Sequence, residues 1–202
     1  DVDPDGDPGY IAWDDSLNQI TITGNIYQND GATASILCGA SSNIHLYVDG
    51  NPASTTNCTA GVYTFNNISY GSSSELIVFI DGESVGGATV TQEPISNINN
   101  LDVYENHVIV RHEGIAPITN ADLAVYDSSD DIDIPFTVTG GDLTIAADTK
   151  LIVWTNKEFE PGGDVTVSDG AAVAAYDGTV ELFNGSTWTS NGTEVHTIGG
   201  SL

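Results

Sequence analysis

The sequence contains no methionine, only two cysteines, and three lysines and arginines against 29 aspartates and glutamates. Each scarcity excludes something. At a formal net charge of −26, nucleic acid is ruled out as a partner, because its phosphates would meet no compensating cations. An anionic membrane surface is disfavoured on the same ground. No apolar run reaches the roughly 18 residues needed to cross a bilayer, so no membrane insertion is expected in this segment. The missing methionine, absent even at position 1, suggests a mature or processed chain.

Catalytic signatures are equally scarce. No G-x-S-x-G elbow, phosphate loop or dinucleotide fingerprint occurs. His45, His107, His112 and His196 show no zinc-ligand spacing. Carboxylate pairs suited to glycoside hydrolysis are inevitable in so acidic a chain, and no cleft signature singles one out. The expectation is therefore a protein that is not an enzyme, with the histidines and Arg111 paired to carboxylates.

What is present points to a folded, all-β protein. Apolar residues make up 40% of the chain, with 8 Tyr, 5 Phe and 3 Trp, enough for packed cores despite the charge. Short alternating or apolar runs such as QITITGNIY, IHLYVDG, GVYTF, ELIVFIDG and GATVTQ are separated by turn signals such as NDG, DGNP and YGSSS. Two tandem β domains are expected from the length. Residues 1–18 form an acidic leader, 19–93 an Ig-like or prealbumin-like sandwich, 94–100 a linker and 101–202 a second all-β domain. In the last, the short runs from Leu101 onward fit either a β-sandwich or a stack of β-solenoid rungs. A bulge or bend is expected near Gly24.

Cys38 and Cys58 have no third cysteine or histidine at metal-ligand spacing, and a disulfide is the expected state. It implies an oxidising compartment, hence an extracellular or cell-surface location.

The stretch Asp1, Asp3, Asp5, Gly6 and Asp7 has the front half of a calcium loop, with alternate carboxylates able to converge on one hard cation. The bidentate acid of the back half is missing, since the twelfth position is Ala12, so a solvated leader is the alternative. Asp127, Asp130, Asp131 and Asp133 form a second acidic cluster that would repel without a counterion, and calcium is a candidate there too. Sequons begin at Asn57, Asn67, Asn184 and Asn191 and are candidate glycosylation sites. Trp154 and Trp188 could stack on sugars or pack in a core.

Residues 19–92 resemble the small prealbumin-like modules of bacterial surface proteins, similar to Cna B-type and SdrD B-like domains. The resemblance is carried by Gly24-Asn25-Ile26-Tyr27 with Asn29-Asp30-Gly31, by His45-Leu46-Tyr47-Val48-Asp49-Gly50, and by Gly61-Val62-Tyr63-Thr64-Phe65 with Asn67-Ile68 and Gly71. Many such modules carry a Lys–Asn crosslink. This half has no lysine, so that bond is impossible and the disulfide would be the staple. The second half is more loosely similar to Ig-like and β-solenoid-type segments of secreted surface proteins.

The functional expectation is a structural subunit of an extracellular filament or surface assembly, a homopolymer joined by β-strand complementation. An apolar trio, Tyr10, Ile11 and Trp13, with Ile20 and Ile22 beyond it, is the candidate inter-subunit strand, and residues 194–198 are the other. The alternative is an adhesin or carbohydrate-binding module of a larger secreted protein, with glycans as partners.

Overall fold

The computed structural model describes residues 18–38, 43–167, 180–182, 187–189 and 196–198. The protein is almost entirely β. Its first half contributes β1 (Asn18–Tyr27), β2 (Asn43–Val48), β3 (Asn51–Thr56), β4 (Val62–Tyr70), β5 (Glu75–Asp81) and β6 (Ala88–Gln92). The second half contributes β7 (Val103–Tyr104), β8 (His107–Val110), a single turn of helix α1 (Asn120–Leu123), β9 (Phe136–Thr139) and β10 (Asp142–Ile145). These are followed by β11 (Lys150–Val153), β12 (Glu158–Phe159), β13 (Val165–Val167), β14 (Val180–Leu182), β15 (Thr187–Trp188) and β16 (His196–Ile198). No helix among the described residues is long and apolar enough to cross a membrane.

The organising element is a seven-stranded sheet in the order β14-β11-β8-β6-β5-β2-β3. Strand β5 shows why this sheet sits at the centre. Its sequence ELIVFID offers apolar side chains to both faces, and Leu76 through Ile80 are all buried. Leu76, Val78 and Ile80 enter one core with Ile20, Ile22, Ile26, Tyr63, Phe65 and Val103, under the three-stranded sheet β4-β1-β7. Ile77 and Phe79 point the other way, into a second core. There they meet Val108, Leu151, Leu143 and Val165, under the four-stranded sheet β16-β13-β10-β9. The layering is sandwich-like, with one sheet serving as the wall of two cores.

The strand sense changes along that sheet. Pairings among β3, β2, β5 and β6 are antiparallel; β2–β3 and β5–β6 are hairpins, whereas β2 meets β5 across the intervening β3 and β4. From β6 onward they are parallel: β6 with β8, β8 with β11, and β11 with β14. The same succession recurs on the other faces, β10 with β13 and β13 with β16, and β12 with β15. Successive turns of chain thus stack as parallel rungs. Alternation holds along each of them: Val108 and Val110, then Leu151 and Val153, project into the core, while Ile109 and Ile152 face outward into a small cluster with Tyr104. The first turn is longer than the next because it carries α1 and β9.

Residues 94–100, expected as a linker, lie along β1. Ile98 is buried, its N–H donates to the Thr21 carbonyl, and its own carbonyl accepts from Thr23 N–H. The bulge or bend expected near Gly24 does not fall at Gly24 itself. Ile20, Ile22, Gly24 and Ile26 occupy alternate positions and are all buried on one face. The register shift falls instead between Ile20 and Ile22, where Asn66 and Asn67 of β4 are accommodated and Asn67 takes a φ of 57°. Gly24 has another reason to be glycine: a side chain there would overlap the Leu101 carbonyl and meet the Tyr63 hydroxyl.

Candidate functional site

The disulfide is formed as expected. Cys38 and Cys58 are joined with a Cα–Cα distance of 4.9 Å, and Cys58 packs in the first core. Arg111 is paired with Glu113 at 2.7 Å and also donates to the Asn100 carbonyl. His112 is held by backbone groups on both nitrogens, Gly114 O at one and Glu158 N–H at the other. His107 Nδ1 lies 2.6 Å from Glu105 O.

The acidic turn before β9 is organised by its own hydrogen bonds. Asp127 is buried, and its carboxylate accepts from Ser129 N–H, Ser129 Oγ and Val138 N–H. Burial alone would raise its pKa, but these three donors hold the carboxyl below the usual aspartate value. Asp130 accepts from Asp127 N–H. Asp131 accepts from Asp133 N–H and from the Tyr47 hydroxyl. Asp133 accepts from Gly82 N–H. The four carboxylates therefore do not face one point, and Asp127 is directed inward.

What the turn does instead is carry Asp131 across to the sandwich. Among the described residues, His45, Asp81 and Asp131 form a group whose ligand atoms all lie within 4.8 Å of one another, each side chain half-buried. His45 comes from β2, Asp81 from the end of β5, and Asp131 from a turn some fifty positions further on. His45 Nε2 is 3.2 Å from Asp81 Oδ2, and its ring packs edge-on against Phe79 with centroids 5.5 Å apart. Burial raises the Asp81 pKa, as do a hydrogen bond with Asp133 and the nearby Asp131 and Asp133 charges, against the lowering influence of His45. A groove of about 400 Å³ opens beside Asp133, lined also by Ile132, Phe136 and Asp148.

Spacing could not have revealed this group, since His45 and Asp81 become neighbours only through the antiparallel pairing of β2 with β5. Asp81 was not singled out by the sequence, and His45 only as a histidine without a zinc pattern.

Of the other candidates, Asn57 and Asn67 are exposed. Trp154 is half-buried against Tyr104, and Trp188 against Phe159. Ile20 and Ile22 are buried in β1 within their own chain. Asp1, Asp3, Asp5, Asp7, Tyr10, Ile11, Trp13, Asn184 and Asn191 lie outside the described residues.

No protein family's sequence profile matches the chain, and neither a curated protein nor a solved structure shows significant similarity to it.

Proposed function

We propose that this chain is a non-catalytic structural subunit of an extracellular or cell-surface assembly, a homopolymer in which copies add strand to strand. The observation that carries this reading is the state of the parallel ladders. Among the described residues, β14, β15 and β16 each pair with one strand only, at the same end of the stack. Such edges present backbone donors and acceptors that a further strand satisfies. Head-to-tail addition at one end of a stack is heterologous and grows fibres.

In this reading the first half is a prealbumin-like sandwich akin to the Cna B-type modules, and the second a β-solenoid-like stack. Ile20 and Ile22 serve their own fold, so the donor is the segment around Tyr10, Ile11 and Trp13, or the edge at His196–Ile198. Calcium on the acidic leader reduces self-repulsion between subunits at this charge. The disulfide suits the oxidising location.

A second reading, an adhesin or carbohydrate-binding module, is favoured by one observation. Tyr27, Tyr104 and Trp154 form an edge-packed aromatic cluster in which Tyr27 and Trp154 remain half-exposed, a surface suited to sugar rings.

Electron microscopy and sedimentation of the purified protein over a hundredfold concentration range, with and without a chelator, test the first reading. Ordered fibres or concentration-dependent mass support it, and their loss on chelation assigns calcium a role in assembly. A monomer throughout overturns it, and saturable glycan binding by that monomer establishes the second.

A further inference from the structure

We propose that His45, Asp81 and Asp131 form a binding site for a divalent transition-metal ion of the zinc type, clipping the acidic turn before β9 to the antiparallel strand pair β2–β5. The proposal is independent of the polymer reading and concerns a different part of the molecule.

The donor set decides the class of ion. One imidazole nitrogen with two carboxylates is a mixed N/O set, which suits zinc and its neighbours, whereas calcium and magnesium prefer oxygen alone. The spacing fits as well. Ligand atoms at about 2.0–2.2 Å from a zinc ion lie up to about 4.4 Å apart. The three here are within 4.8 Å, so small side-chain rotations bring them onto one ion.

The surroundings are those of a supported site. His45 is braced against Phe79, and Tyr47 donates its hydroxyl to Asp131 Oδ2 at 3.3 Å, an orienting bond of the kind that outer partners make to metal-ligating carboxylates. Asp133, bonded to Gly82 N–H, stands next to Asp81 as a third carboxylate. Charge points the same way. Three carboxylates meet one imidazole, while Arg111 is paired with Glu113 and the two lysines belong to β11 and the segment leading to β12.

Three open positions follow from three protein ligands in an octahedral ion, or one in a tetrahedral ion, and Asp133 or water takes the next. Binding there would join the sandwich to the turn that precedes β9 and so stabilise the whole fold by mass action.

Isothermal titration of the full chain with zinc ion alone, after removal of metals, tests the proposal, alongside calcium at equal concentration and the variants His45→Gln and Asp131→Asn. Asp131→Asn leaves the β2–β5 pairing untouched, and circular dichroism verifies that each variant is folded. The expected result is one zinc per chain with a raised melting temperature. Loss of outer partners alone commonly weakens metal binding about 10- to 100-fold, so each variant should lose more than about tenfold in affinity. Three results would overturn the proposal: no stoichiometric zinc binding, zinc affinity unchanged in both variants, or calcium displacing zinc at equal concentration.

Discussion

Gly24 lies directly against the carbonyl of Leu101, and the Tyr63 hydroxyl donates to that same carbonyl oxygen. Three segments far apart in sequence therefore converge on one atom, and only the missing side chain of Gly24 permits it. Gly24→Ala forces β1 away from the chain before β7 and should cost about 2–3 kcal/mol, in the range of overpacked cores. Urea denaturation of the variant, read as a shift in midpoint with unchanged slope, checks this. Stability equal to the parent would show that the contact relaxes freely.

The disulfide closes a separation of 20 residues between Cys38 and Cys58. On the chain-entropy account such a loop is worth about 3 kcal/mol. Cys38→Ser with Cys58→Ser, or reduction under native conditions, should lower the unfolding free energy by about that amount. Denaturant titrations of oxidised and reduced protein give the difference directly.

Asp127 gives a pH dependence of defined sign. Its carboxyl is held below the ordinary value in the folded protein by Ser129 and Val138 donors. The stabilisation is present above the unfolded aspartate pKa, near 3.8, and disappears as pH falls through the lower, folded value. Asp127→Asn should therefore destabilise by about 1–3 kcal/mol at neutral pH and converge on the parent in strong acid. Thermal melts of both proteins from pH 7 to pH 2 measure the convergence.

Because β5 walls both cores, the described fold should unfold as one cooperative unit. Tryptophan fluorescence, with Trp154 and Trp188 in or beside the rungs, and far-ultraviolet circular dichroism should give coincident transitions. Val78→Ala, in the first core, should shift both probes equally, by about 1–3 kcal/mol. Separate transitions would mean that sandwich and rungs melt independently.

The sequence by itself determined the all-β class, the disulfide and much of the first half. Period-two burial in NQITITGNIY and a double-faced apolar run in ELIVFID are local signals, and hydrophobic burial acts on them wherever the strands end up. Two cysteines without other ligands leave one natural pairing. Tertiary structure alone decided the parallel stacking from β6 to β14. Strands such as KLIV and VTV are too short to carry a period, and unequal connections between rungs conceal the repeat that in-register pairing reveals. It also decided where the bulge lies, because an inserted residue is defined by its partner strand, and β4 holds it opposite β1. His45, Asp81 and Asp131 became a group for the same reason. Backbone pairing brings two of them together and a distant turn supplies the third, so their proximity is a property of the sheet rather than of any spacing along the chain.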